Sequence, residues 1–332
     1  MCSNWTRGNR KEDMTLEQIE QAFSSTLWKD IENASISGGE PTTRNDLVDI
    51  ARVMIDKFPK LRKLTLNTTG ITHHRAIPML TKIVQLCNEC NVIFSTRVSI
   101  DGVNDMHGQV RNVRNAFEKA GKTIAAMKEL QKTHRFNFGI SSTIFSQNLE
   151  DADNILAWAK KEHLDIVFNM VRFTDAMLGN SELEGKYRPM GVEEQKMRKF
   201  FLDRVRQDPL LDGQNYIYMH YADMIANGYH RTAPCPFMTQ GIMLNPNGDM
   251  FFCENSDVVG NVTKDDPEAI YFREDAQAHR REIRDQKCPS CLSPCQMNVA
   301  AIKQVVPYAR FLVRASMEKR RAGTPVAAAA PA

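Results

Sequence analysis

Between Met14 and about Phe173, short apolar runs alternate with helix-period stretches, and this alternation constrains the fold more than any other feature of the sequence. Ala34–Ser37, Leu64–Asn67, Val92–Ile100, Phe136–Phe145 and Ile166–Phe173 read as strands, each bounded by Gly, Asn or Asp. Leu16–Trp28, Asp46–Phe58, Ala76–Cys90, Val113–Gln131 and Asp151–Glu162 repeat apolar residues at helical spacing. Strands in this alternation are expected to pair in parallel, because the helices between them supply the crossovers. The expectation is an α/β fold: a parallel sheet covered by helices, closed or partly closed into a barrel. Its chemistry belongs at the carboxyl ends of the strands. Five strands fall short of a full eight-stranded barrel, and Met1 to Asp13 supplies no strand before the first helix, so a first strand is expected to be missing.

Composition narrows the function classes. The 332 residues include 43 Lys and Arg against 40 Asp and Glu, and a net charge of +3 is too weak to imply a nucleic-acid partner. Apolar residues at 42% suffice for a sizeable core, yet no apolar run approaches the roughly 18 residues that span a bilayer. Met1 to Arg10 is polar rather than signal-like, which places the expected compartment in the cytoplasm.

Three strand ends share one character. Ser37-Gly38-Gly39-Glu40-Pro41 follows the strand at Ala34, Asn67-Thr68-Thr69-Gly70 the next, and Val98-Ser99-Ile100-Asp101-Gly102 the third, with Arg111 shortly after. Paired glycines bring bare backbone against a ligand. An ordinary turn with Thr42 or Thr43 capping the next helix is the alternative at the first of these. Small polar residues with glycine at three successive ends suit a pocket for a polar cofactor.

Eight cysteines in a chain without a secretory signal call for an explanation other than disulfides. Five of the eight lie in Cys235-x17-Cys253 and Cys288-x2-Cys291-x3-Cys295, among Pro234, Pro236, Pro289 and Pro294. The turn Asn245–Asp249 between Ile242–Leu244 and Met250–Phe252 signals a hairpin that returns Cys253 towards Cys235. Four thiolates suit either a structural zinc or a [4Fe–4S] cluster. Cys235, Cys253, Cys288 and Cys291 fit one site best, with Cys295 as an alternative ligand. Cys87-x2-Cys90 closes a helix-period segment and reads as a pair of ordinary cysteines. His107 reads as a local hydrogen-bonder, and Gln304 to Arg321 as a basic, solvated helix before a low-complexity tail.

Gly-Gly-Glu-Pro after one strand, Ser-Ile-Asp-Gly at another and the distal cysteine module together resemble the radical S-adenosylmethionine (radical SAM) enzymes with a C-terminal SPASM or Twitch auxiliary-cluster domain. The resemblance covers about residues 1 to 300. It implies a partial (β/α)6 TIM-like barrel (1–180), a helical linker (181–230), a cluster domain (231–300) and a basic helix with a disordered tail (301–332). It also implies that Gly38, Gly39, Glu40 and Pro41 meet the methionyl end of SAM, and that Ser99, Asp101 and Arg111 face its ribose or carboxylate; Ser142 and Asn169 are weaker candidates. The family's C-x3-C-x2-C loop is represented by Cys2 alone, expected to be its third cysteine in an N-terminally truncated chain. The implied metal ligands are therefore Cys2, Cys235, Cys253, Cys288, Cys291 and Cys295. The implied cofactors are SAM and [4Fe–4S], both auxiliary and, with the missing cysteines, catalytic. The implied reaction is reductive SAM cleavage followed by hydrogen abstraction from a peptide or small molecule, with electrons from a flavodoxin- or ferredoxin-like donor. No catalytic acid or base is named. The alternative is a non-catalytic iron–sulfur or zinc protein on a degenerate barrel.

Overall fold

The computed structural model describes residues 12–174, 178–231, 233, 235–291 and 305–323. Cys2, Cys295 and the low-complexity tail lie outside them. The described residues form two units: Met1–Asn169 with Leu244–Met250 and Val258–Ala276, and Met170–Met243 with Phe251–Asp257 and Gln277–Ala332.

In the first unit, strands β1 (Asn33–Ile36), β2 (Lys63–Thr68), β3 (Ile93–Ser99), β4 (Asn137–Ile144) and β5 (Asp165–Met170) form one sheet in the order β1-β2-β3-β4-β5. β1 to β4 pair in parallel, with Ala34 beside Leu64, Leu66 beside Thr96 and Val98 beside Ile140. Right-handed crossovers between sequential parallel strands all fall on one side of a sheet. Here those crossovers carry α2 (Leu47–Lys57), α3 (His73–Glu89), α5 (Ala116–Leu130) and α6 (Ala152–Lys161).

The strands show why one face suits the helices. Leu64, Leu66, Phe94, Val98, Ile140 and Ile144 share a register face and are buried. They meet helices whose own buried residues include Leu80, Ile83 and Val84 of α3 and Ala120, Ile124 and Met127 of α5. The other face carries Ser35, Thr65, Asn67, Ser95, Arg97, Ser99, Ser141 and Thr143. Both faces of a parallel sheet are ordinarily apolar; a polar second face marks one that meets something other than a helix.

Element bounds follow local chemistry. α1 (Leu16–Phe23) opens on a capping box between Thr15 and Gln18. It ends earlier than the periodicity predicts, because the Ser24-Ser25 pair breaks it and Ser25 caps a separate 3-10 turn, Thr26–Asp30. The stretch expected as one helix from Val113 opens only at Ala116, since Asn112 and Asn115 adopt left-handed φ of 51° and 56°. Just before it lies α4 (Asp105–Arg111), a helix the periodicity missed.

The hairpin signal is realised as β6 (Met243–Leu244) and β7 (Asp249–Phe251), with β8 (Gly260–Asn261) third in order. Asn245 N donates to Asp249 O at 2.8 Å, closing the turn.

The second unit contains α7 (Glu184–Tyr187), α8 (Val192–Gln207), α9 (Gly213–Ala226), α11 (Glu274–Gln286, whose first turn belongs to the first unit) and α12 (Val305–Arg321); α10 (Pro267–Phe272) is in the first. The basic helix α12 is not the solvated element expected. Phe311 and Ala315 are buried, and Phe311 meets the Tyr216 ring edge-on at 5.3 Å. Lys319 is only 3% exposed and spends its ammonium on the Arg206 and Asp208 carbonyls at the end of α8. Among the described residues no helix is long and apolar enough to cross a membrane.

Candidate cofactor sites

Parallel pairing brings the carboxyl ends of β1 to β4 to one edge of the sheet, and the glycine-rich turns lie there. Gly38 has φ +141°, open to glycine but rarely to other residues. A side chain built on Gly38 or Gly39 would meet no atom within 4 Å, so the exposed backbone borders open space. Pro41 starts the 3-10 turn Pro41–Thr43, which Glu40 caps.

Glu40 itself is committed. Its Oε1 accepts from Thr42 N at 3.2 Å, Thr42 Oγ1 at 2.8 Å and Thr68 Oγ1 at 2.8 Å. Its Oε2 accepts from Thr69 N at 2.7 Å and Thr69 Oγ1 at 2.5 Å. Five donors saturate a carboxylate. Glu40 therefore ties the Gly38-Gly39 turn to the end of β2, and the part of this turn that borders open space is the glycine backbone.

Asp101 also departs from the expectation that it faces a ligand. It is 1% exposed, accepts from Thr143 N at 2.8 Å and pairs with Arg111 Nη2 at 2.6 Å. Its backbone N donates to His107 Nδ1 at 3.0 Å, which makes His107 the local hydrogen-bonder expected. Burial, reinforced by the Arg111 guanidinium, depresses the His107 pKa to about 4, and neighbouring Asp101 offsets only part of this. Asp101 thus positions Arg111, which stays partly exposed at the end of α4. Ser99 lies half-buried on the polar face. Ser142 is a correction: it sits on the helix-covered face, 1% exposed. Asn169 is half-buried near the end of β5.

Arg97 was not anticipated. From the polar face it donates to Ile140 O at 3.1 Å and to Asp165 Oδ2 at 2.5 Å, linking β3, β4 and β5. Gly139 makes room for it: a Cβ there would lie 2.9 Å from Arg97 Nη1 and 2.5 Å from Asp165 O. The signal was in the sequence, in the alternation of polar and apolar residues inside each strand rather than at its end.

In the second unit, Cys235, Cys253, Cys288 and Cys291 line one cavity with an empty volume of about 530 Å³, part of it open to solvent. The knuckle at Cys288–Ser290 is a 3-10 turn closed by Cys291 N donating to Cys288 O at 3.2 Å. Arg231 fastens the first cysteine segment to it, its N donating to Pro289 O at 2.7 Å and its Nη1 to Cys291 O at 3.3 Å. Arg231, Arg280 and Arg284 share the cavity wall, and Arg280 stacks over the Phe252 ring at 4.6 Å. Burial pushes the Cys253 thiol up to about 11; the Asn255 backbone amide opposes the rise and the other three thiols add to it. Among the described residues no three His, Cys, Asp or Glu side chains converge tightly enough to hold a single metal ion. Four thiols around a volume, walled by cations, suit an anionic thiolate-bound cluster. Cys87, by contrast, is buried in the first unit with its thiol raised to about 12, and Cys90 is exposed. Sequence reasoning had no access to the arginines, which come from two separate segments, Arg231 ahead of Cys235 and Arg280 with Arg284 on α11.

Residues 1–159 match the radical SAM superfamily, and residues 235–296 match SPASM, an iron–sulfur cluster-binding domain. The chain carries radical SAM and SPASM domains. The cofactors that go with these two domains are S-adenosylmethionine and [4Fe–4S] clusters, in line with the resemblance seen in the sequence. Over 127 residues the chain is 33% identical to the AdoMet-dependent heme synthase of Methanosarcina barkeri (strain Fusaro / DSM 804), a stretch covering 38% of this chain and 32% of that protein. The match thus spans about a third of that relative's length. Native anSMEcpe with bound AdoMet and Cp18Cys peptide superposes with a TM-score of 0.57 at 15% identity, covering 93% of this chain and 91% of that one. Streptococcus suis SuiB superposes with a TM-score of 0.53 at 16% identity, covering 90% and 69%. At these identities both show a shared fold.

Proposed function

We propose that this chain is a radical SAM enzyme that modifies a peptide or a small molecule by hydrogen abstraction, on a partial (β/α)6 barrel of about residues 1–180. A helical linker (181–230), the cluster domain (231–300) and a basic helix with its tail (301–332) complete the proposed organisation. The observation that carries the reading is the polar face of the β1–β5 sheet, with bare Gly38-Gly39 backbone at its carboxyl edge, in a chain whose other unit gathers four thiols around one cavity. When bound, a [4Fe–4S] cluster and SAM supply one-electron cleavage of the sulfonium C–S bond and a radical able to take a substrate hydrogen.

The chain's own residues have separable tasks in this reading. Gly38 and Gly39 offer backbone to the methionyl end of SAM, while Glu40 and Pro41 hold that backbone in place. Ser99 and Arg111 face the ribose or carboxylate, with Asp101 orienting Arg111. Cys235, Cys253, Cys288 and Cys291 hold the auxiliary cluster; Cys2, and Cys295 as an alternative ligand, complete the proposed set. A flavodoxin- or ferredoxin-like protein delivers the electron. The peptide branch is favoured by the likeness to anSMEcpe, which was solved with a bound peptide.

The test is anaerobic reconstitution, with iron and sulfide, of a form carrying all three cysteines of the C-x3-C-x2-C loop, then incubation with SAM and dithionite. Release of 5′-deoxyadenosine, reduced at least tenfold by Gly38→Val, is expected. Iron incorporation without any 5′-deoxyadenosine would favour a non-catalytic cluster protein, and zinc in place of iron would overturn the reading.

A further inference from the structure

The thiol-lined cavity has a polar neighbour, lined by Arg172, Thr174, Lys287 and Ser290, and the two share Glu254, Asn255 and Cys291 as a common wall. Asn255 is the residue of that wall whose side-chain N–H faces a sulfur. Its Nδ2 donates to Cys291 Sγ at 3.2 Å. The side chain of one segment therefore places a donor on a thiol of another, 36 positions away.

The placement is built. Lys287 Nζ donates to the Asn255 carbonyl at 3.1 Å, tying the loop to the helix that leads into the Cys288 knuckle. Ser256 N donates to Cys253 O at 3.1 Å and Asp257 N to His279 Nε2 at 3.1 Å, bracing the loop on its far side. Glu254 is held by Arg172 at 2.8 Å, so the residue before Asn255 is anchored as well. The amide orientation follows from chemistry: once Cys291 is a thiolate, Oδ1 on the sulfur would set two acceptors against each other, whereas Nδ2 supplies a charge-assisted hydrogen bond.

We propose that Asn255 sets the reduction potential of the cluster held by Cys235, Cys253, Cys288 and Cys291, by donating from its side chain to the sulfur of Cys291. Reduction adds one electron to the cluster, and part of that charge resides on the thiolate sulfurs. A donor on the sulfur stabilises the reduced form more than the oxidised one, so the potential rises. The role is one of positioning and tuning, since Asn255 acts through Cys291. It rests on the iron–sulfur reading of this cavity.

The experiment is a potentiometric titration with dithionite, followed by EPR, of the anaerobically reconstituted full chain. The wild type is compared with Asn255→Leu, which keeps the side chain's size without its donor, and with Asn255→Ala, which removes the donor without adding bulk. The signal of this cavity is the one that Cys253→Ser removes. With iron content unchanged, both variants are expected to lower the reduced-to-oxidised ratio at a fixed potential about tenfold, a negative shift of about 59 mV for a one-electron couple. Unchanged iron and wild-type potentials in both variants would overturn the proposal and leave the cluster reading standing. Loss of iron from both variants would also overturn it, because Asn255 would then retain the cluster rather than tune it. If one variant loses iron, the other decides by its potential. Zinc in place of iron in the wild type would overturn the cluster reading itself, and the proposal with it.

Discussion

Glu40 and His107 show how much of the strand-end edge depends on single buried groups. Removing the Glu40 carboxylate leaves Thr68 Oγ1, 2% exposed at its residue, and Thr69 N without their acceptor. Glu40→Ala is expected to cost about 1–3 kcal/mol, the penalty of leaving buried donors unpaired. Tryptophan fluorescence during urea unfolding measures this in the right unit, since Trp28 and Trp158, the two tryptophans among the described residues, belong to the first. A variant as stable as the wild type would show that the carboxylate does not tie the turn to β2. His107 and His220 carry a pH dependence. Burial holds each near pKa 4 rather than 6.5. Below about 6.5 the unfolded chain takes up protons that the folded one refuses, so stability is complete above that pH and falls as pH drops towards 4. The loss amounts to about 3 kcal/mol per histidine at the low end of the window. Urea midpoints at pH 7.5 and pH 5 should differ accordingly, and equal midpoints would contradict neutral, buried imidazoles.

Two glycines on neighbouring elements have opposite tolerances. A Cβ on Gly139 in β4 would press on the Asp165 carbonyl at 2.5 Å and on Arg97 Nη1 at 2.9 Å, whereas one on Gly121 in α5 meets no atom within 4 Å. Gly139→Ala is therefore expected to destabilise by about 1–3 kcal/mol, as overpacked sites do. Gly121→Ala is expected to stabilise by about 0.5–1 kcal/mol, through helix propensity and the entropy of the unfolded chain. Denaturation of both variants by the same fluorescence signal checks the pair; the same sign for both would refute the placement of Arg97 across β4. Strand and helix bounds were legible where periodicity was strong, and failed where short polar residues offered the backbone an alternative. Ser24-Ser25 split the first helix, and Asn112 and Asn115 delayed α5, because such side chains compete for local hydrogen bonds and Asn tolerates a left-handed backbone. The basic helix α12 misled for a different reason. Its charge suggested solvent, while Phe311 and the buried stem of Lys319 make it a packed element.

On the scale of the whole molecule, the division into two units separates the two proposed cofactor sites. Burial raises the Cys253 and Cys288 thiols, so loading them with metal must displace protons, and metal binding then stabilises the unit that supplies the ligands. Stripping the reconstituted protein with a chelator under reducing conditions is expected to increase hydrogen exchange in the second unit's 251–257 and 280–291 segments. In β2 to β4 of the first unit, exchange should stay the same. Equal loosening of both units would mean that the cavity is not a local metal site.

The order of strands and helices, the glycine-rich strand ends and the spacing of the distal cysteines were determined by the sequence alone, because periodicity and turn chemistry act between near neighbours along the chain. The polar face of the sheet was equally legible, as alternation within β2 to β4. Which groups finally meet was decided by tertiary structure. Arg97 reaches Asp165 across 68 positions and Asn255 reaches Cys291 across 36. Contacts of that range depend on strand register and on how loops return, and no local preference encodes them. The same long-range packing saturated Glu40, turned Asp101 inward and buried Lys319. Each is a charged group in a setting that its neighbours in sequence do not reveal, since its partners arrive from other elements.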